Sequence, residues 1–152
     1  SAASYVYKRQ GIWGSNVNFN DDGAGSELDV YFGYASETEG GLGVDINYVD
    51  FTYPGDSSLD FQEIGVGLSY GDFGFGYYSG QDGAADYMDF SYGFGDFSFY
   101  YGDYDTYGTN FALGYGFACG SYDCGLAYTD FSSDSVDLMD EDAVVFSVSA
   151  SF

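Results

Sequence analysis

From Gly11 onward, apolar and polar side chains alternate with a period of two, in runs separated by short clusters of Gly, Asp and Ser. Successive side chains of an extended chain point to opposite faces, so this period predicts half-covered β-strands. Ten strands are predicted, at about 11–20, 26–37, 40–53, 60–70, 72–80, 85–95, 96–104, 108–118, 122–132 and 142–152. No gap between them has room for a helix, which makes the expected class all-β, an antiparallel up-and-down meander.

The final run, AVVFSVSASF, alternates up to the last residue. Val144, Phe146, Val148, Ala150 and Phe152 share one face, and Val145, Ser147, Ser149 and Ser151 share the other. A terminal aromatic preceded by apolar residues at alternate positions resembles the closing strand of a bacterial outer-membrane β-barrel. On that resemblance Val144, Phe146, Val148 and Phe152 form the signal that barrel-assembly machinery reads. The last strand of a soluble sandwich would alternate in the same way, so the rest of the chain must decide.

The connections separate the two. Gly71-Asp72 and Gly95-Asp96 have the form of two-residue hairpin turns with Gly first, as type II′ requires. Such turns fix register, pairing Tyr70 with Phe73, Leu68 with Phe75 and Val66 with Tyr77. Around the second turn they pair Phe94 with Phe97, Tyr92 with Phe99 and Phe90 with Tyr101. Every pair is apolar on both sides. The intervening connections NDDGAG, YPGDSSLD, GQDGAAD, DYDTYG and SSDSVDLMDE are longer and acidic. Short turns at one end and long polar loops at the other are how outer-membrane barrels are built, with the short turns in the periplasm. Strands of this length, at roughly 3.3 Å per residue and a tilt near 45°, suit an apolar band of about 25 Å.

Face assignment points the same way. Leu28, Val30, Phe32, Val44, Ile46, Ile64, Phe111 and Leu113, with the hairpin rows above, are too much apolar volume for the interior of a ten-stranded barrel. The opposite rows hold Asp29, Tyr31, Asp45, Asn47, Tyr78 and Asp89 among glycines and serines, and these six are the expected pore-lining residues. Apolar outside and polar inside is the less costly arrangement, and it requires lipid. Tyr34, Tyr70, Phe73, Phe94, Phe97, Phe117 and Phe152 fall on the apolar face near the short-turn end, as an interfacial aromatic girdle would.

Composition narrows the partners. The 152 residues include 24 Gly, 18 Tyr and 15 Phe, no His, and 2 basic against 25 acidic residues, for a net charge of −23. Nucleic acid is excluded, since its phosphates would be repelled, whereas divalent cations fit. No apolar run reaches the length of a transmembrane helix, and no signal peptide is visible. Val6–Gln10 (VYKRQ) resembles the translated end of a sequencing adapter and contains both basic residues, Lys8 and Arg9. An ordinary basic strand end would read the same. Residues 1–10 are therefore set aside as non-native, and 11–152 are taken as a single barrel domain whose front is expected to be missing.

The segments GIWGSNVNF, SELDVYFGYASE, GVDINYVDFTYPG and EIGVGLSYGDF resemble the proteobacterial family of TorF-like porins, over about Gly11–Phe152. That resemblance implies an outer-membrane β-barrel. Members are longer at the front by roughly two strands, which would make this chain a fragment of a twelve-stranded barrel. The family brings no catalytic residues to transfer.

Chemistry-bearing motifs are few. Cys119 and Cys124 flank GSYD; a register pairing Phe117 with Leu126 and Tyr115 with Tyr128 sets them directly opposite, at disulfide range. A metal site would need more ligands than this pair offers. Without His, no Ser-His-Asp or Cys-His arrangement can form. The acidic groups Asp21-Asp22 and Asp140-Glu141-Asp142 read as solvated loop tips rather than acid–base pairs. No enzyme activity and no cofactor is expected. The expected function is a narrow passive channel for small hydrophilic solutes, preferring cations, in the bacterial outer membrane. The alternative is a structural or surface-exposed barrel whose acidic loops bind divalent cations, lipopolysaccharide or a partner.

Overall fold

The structure, a computed structural model, describes residues 5–18, 24–134 and 139–150, with side chains from Tyr7 onward. Ten strands follow one another: β1 (Tyr5–Asn16), β2 (Ser26–Glu37), β3 (Leu42–Thr52), β4 (Phe61–Tyr70), β5 (Phe73–Gly80), β6 (Tyr87–Phe94), β7 (Phe97–Tyr104), β8 (Gly108–Cys119), β9 (Tyr122–Ser133) and β10 (Glu141–Ser149). A single 3-10 turn, Ser57–Leu59, interrupts the β3–β4 loop. The strands form one antiparallel sheet in chain order. Among the described residues the sheet is open: the ladders run from β1 to β10, and none joins β10 back to β1.

The two Gly-Asp turns set the register that their chemistry predicts. Gly71 and Gly95 have φ of 58° and 60°, a region that costs glycine nothing, while the following aspartates keep negative φ, as type II′ demands. Tyr70, Leu68 and Val66 pair with Phe73, Phe75 and Tyr77, and Phe94, Tyr92 and Phe90 pair with Phe97, Phe99 and Tyr101. One end of the sheet holds the short connections at 38–41, 71–72, 95–96 and 120–121. The other holds the long ones, except that DYDTYG contracts to residues 105–107, because β7 and β8 pair as far as Tyr104 and Gly108.

Strand β1 differs from its prediction. It begins at Tyr5 rather than Gly11, and residues 5–10 continue the ladder with β2 from Tyr5 opposite Glu37 to Gln10 opposite Phe32. The segment set aside in the sequence is thus the first half of a strand.

The faces are inverted relative to a water-soluble domain. Among the described residues the buried apolar side chains are only Ala24, Tyr53 and Cys124, and no side chain is fully enclosed. The apolar rows lie uncovered, with Phe32 55%, Ile46 53%, Leu113 53% and Phe146 62% exposed. Val144 and Val148 join Phe146 on this open face; Phe152 lies outside the described residues. The polar face is the concave one. Glu27 on β2 and Glu63 on β4 both act electrostatically on the phenol of Tyr104 on β7. Five strand spacings of about 4.8 Å would put β2 and β7 some 24 Å apart in a flat sheet, so the sheet curls around its polar side.

Candidate functional site

Glycine on the polar face makes room for tyrosine. A Cβ on Gly65 would come within 2.6 Å of Tyr78 Cδ1, and one on Gly76 within 2.7 Å of Tyr78 Cε2, so the Tyr78 ring lies over a glycine of its own strand, β5, and over one of the neighbouring strand, β4. Tyr31 covers Gly11, and Tyr87 covers Gly102, in the same way. Aromatic rings thus occupy much of the room that these inward glycines leave. Tyr78, Tyr87 and Tyr104 form a run of rings with centroid separations of 5.8 and 4.1 Å, and the Tyr87 and Tyr100 hydroxyls bond to each other.

The six expected lining residues, Asp29, Tyr31, Asp45, Asn47, Tyr78 and Asp89, all sit on this face, but they fall into separate groups. Asp45 accepts from Arg9 Nη2 and from Asn47 Nδ2, each at 2.9 Å. Asp45 thus has a cationic partner, and it comes from the half-strand set aside in the sequence. The Asp45 group borders a cavity of about 400 Å³ near the short-turn end, walled by Tyr7, Arg9, Glu37, Asn47, Ser69 and Tyr78.

A second group lies toward the long-loop end, and sequence reasoning missed most of it. Asp29 and Glu63 are buried to 7% and 6% exposure and interact electrostatically. Beside them are Glu27, Tyr53 and Tyr104. Burial, a hydrogen bond to the Glu27 carboxylate and the Glu27 and Asp29 charges all push the Tyr53 phenol well above its usual range. Glu27 and Glu63 fall on the inward parity of the strands predicted at 26–37 and 60–70, and that parity is the signal that could have found them.

The long loops use their acids for structure. Asp56 accepts from the Ser58 hydroxyl and N–H, at 2.6 and 3.0 Å, and is held below the usual carboxylate range by those bonds. The Asp86 carboxylate accepts from the Tyr77 hydroxyl and the Gly80 N–H, with the same effect. Asp140 accepts from the Ser133 N–H at 2.8 Å. Asp21 and Asp22 lie outside the described residues. No three His, Cys, Asp or Glu side chains converge as a metal site among the described residues.

On the convex face, Phe73, Tyr92, Phe94, Phe97, Tyr115 and Phe117 form a continuous ladder across four strands, with successive centroids 4.4–6.0 Å apart. Tyr34 and Tyr70 are exposed near the same end of the sheet. Nearby, Cys119 and Cys124 are joined by a disulfide, with Cα atoms 5.8 Å apart. Their register is not the expected one. Phe117 pairs with Cys124 and Cys119 with Tyr122 around a Gly120-Ser121 turn, so the cysteines bridge diagonally.

A family model described as a bacterial protein of unknown function (Gcw_chp) matches residues 1–81. The chain belongs to this family. The matched part of the Gcw_chp chain spans β1 to β5 and so includes Asp29, Tyr31, Asp45, Asn47, Glu63 and Tyr78, but neither Asp89 nor the disulfide. The family description names no activity. No curated protein and no solved structure matches the chain.

Proposed function

We propose that this Gcw_chp chain is a transmembrane β-barrel of the bacterial outer membrane, acting as a narrow passive channel for small hydrophilic solutes with a preference for cations. The observation behind this reading is the inversion of faces: long rows of Val, Ile, Leu and Phe lie uncovered outside, while carboxylates are buried on the concave side. In water that arrangement would leave a continuous apolar surface far larger than a soluble monomer tolerates. In lipid it is the ordinary arrangement of a barrel. The aromatic ladder near the short-turn end adds an interfacial belt, and the resemblance to TorF-like porins agrees. Lipid offers no hydrogen bonds to open strand edges, so this reading requires the free edges of β1 and β10 to be paired in the membrane.

Cation preference follows from the charges on the concave face. Asp29, Glu63 and Asp89 have no ion-pair partner among the described residues, whereas Asp45 is matched by Arg9. The test is the reversal potential across a planar bilayer in a salt gradient. A cation-selective potential is expected, weakened in the triple variant Asp29→Asn, Asp45→Asn, Asp89→Asn. Anion preference, or no flux at any salt concentration, would refute the channel. The tyrosines filling the concave face favour a second reading, a closed structural barrel whose acidic loops bind divalent cations, lipopolysaccharide or a partner, and an absence of flux would leave that reading in place.

A further inference from the structure

Among the described residues the outer edges of β1 and β10 have no strand partner. A free edge is a row of unpaired N–H and C=O groups, which lipid cannot satisfy. Strand β1 runs from the short-turn end to the long-loop end and β10 runs the other way. The two edges are therefore antiparallel, as neighbours in an up-and-down sheet must be.

The sheet already carries the stagger that closure needs. Followed partner by partner across all the ladders, the row that leaves Tyr7 on β1 passes Asp45 on β3 and Asp89 on β6 and ends at Glu141 on β10. Tyr7 lies near the short-turn end of β1, whereas Glu141 is the first residue of β10, at the long-loop end. Successive strands thus step past one another in one direction, so a row that crosses them climbs the sheet. In a closed barrel such a row returns to its first strand higher up, by a fixed number of residues.

That number sets the register. Ten spacings of about 4.8 Å measure roughly 48 Å across the strands, and tilts of 35–45° then need a stagger of roughly 34–48 Å along them, about 10–14 residues. Parity allows only even values, because the outward Ile12 must meet an outward residue of the row Val144, Phe146 and Val148. A stagger of about ten pairs residues 9–16 with 149–142, about twelve pairs only 11–16 with 149–144, and about fourteen only 13–16 with 149–146. The first satisfies the greatest length of both edges.

We infer that β1 and β10 of one chain pair with each other, with Ile12 opposite Phe146 and Ser15 opposite Ala143. The seam sets Ile12 and Gln10 against Phe146 and Val148 outside, and Ser15 and Trp13 against Ala143 and Val145 inside. The backbone radius at this stagger is roughly 9 Å, the narrow interior that the channel reading requires. A second copy on each edge would satisfy the same groups only in an open chain of copies or a larger ring, whereas the stagger present fits closure of ten strands.

This inference rests on the barrel reading above, and the experiment separates it from the channel. The full chain carrying Cys119→Ser and Cys124→Ser is refolded into phospholipid vesicles, oxidised with diamide and run on a non-reducing denaturing gel, with the linked peptides identified by mass spectrometry. Ser15→Cys with Ala143→Cys should link within one chain at least tenfold more than Ser15→Cys with Glu141→Cys or with Val145→Cys. A slip of two residues moves the Cα atoms roughly 8 Å apart, beyond disulfide reach. Ala127→Cys with Val145→Cys, partners in the β9–β10 ladder, reports that the sheet has formed. Should the Ser15 and Ala143 variant fail to fold, Gln10→Cys with Val148→Cys probes the same register at the other end of the seam. A shifted pair linking as well as the matched one, links only between chains, or no seam link while the control pair links would overturn the inference. A seam link without ion flux would uphold closure and refute the channel; flux without any seam link would do the reverse.

Discussion

Placing an arginine on the convex face tests the membrane reading most directly. Strand β4 has ten residues, which at about 3.3 Å each and a tilt near 45° span roughly 23 Å along the membrane normal, close to the roughly 25 Å apolar band. On that scale Val66 sits roughly 1 Å from the strand's midpoint and Tyr70 roughly 11 Å from it, at the interface. Both face outward, at 41% and 62% exposure. In lipid, Val66→Arg should cost about 2–4 kcal/mol and Tyr70→Arg about 0–1 kcal/mol. The first corresponds to a roughly 30- to 700-fold fall in the folded-to-unfolded ratio. If the same face met water, both changes would be exposed-surface substitutions within about 0.5 kcal/mol of wild type. Reversible urea unfolding from phospholipid vesicles, followed by the fluorescence of the single tryptophan, Trp13, reads the difference. Equal effects at the two depths, or a folded monomer stable in buffer without lipid or detergent, would refute the reasoning.

Other expectations are narrower. Thiol labelling of unreduced protein should find neither cysteine free, and reduction should cost about 2 kcal/mol, as expected for so short a loop; labelling at both positions would contradict the bridge. Gly65→Ala puts a Cβ 2.5 Å from Asn47 Oδ1 and 2.6 Å from Tyr78 Cδ1, so it should destabilise by about 1–3 kcal/mol. Much of that loss should disappear in a Tyr78→Ala background, and additive effects in the double-mutant cycle would remove the ring-over-glycine argument. The Tyr77 and Gly80 bonds hold the Asp86 carboxyl low. The stability they add should be complete above the ordinary carboxylate range and disappear as pH falls through the depressed value. Asp86→Asn should flatten that acid limb, and an NMR titration placing Asp86 at or above an ordinary aspartate would contradict this.

Much of this fold is legible because its information is local. A Gly-first two-residue turn fixes register by itself, and once register is fixed, parity assigns every side chain to a face. The same logic explains the disulfide. Gly120-Ser121 has the same Gly-first form as Gly71-Asp72, and Gly120 adopts φ 76°, but GSYD read as a four-residue loop shifts the pairing by two positions. The residues were identified and their register was not. Contacts created by curvature were beyond reach, because nothing near Glu27, Glu63 or Tyr104 in sequence signals that β2, β4 and β7 converge. The rings on the concave face were likewise not legible, since nothing near Gly65 or Gly102 in sequence signals that Tyr78 or Tyr87 lies on it.

The two free edges of the sheet are chemically unequal, and that bears on how it could close. Strand β10 presents Val144, Phe146 and Val148 outward, in keeping with every strand from β2 to β9. On β1 the outward row is set by its partners, Lys8 opposite Tyr34, Gln10 opposite Phe32 and Ile12 opposite Val30. Lys8 lies near the short-turn end, where a long side chain can carry its charge to the interface. Gln10 lies near the middle of its strand, with an amide that lipid cannot satisfy. The apolar band is therefore continuous from β2 to β10 and broken on β1, within the one segment whose sequence looked foreign. A barrel closed by β1 against β10 would place this break beside the seam, where a neighbouring strand or chain could cover Gln10 more readily than lipid could.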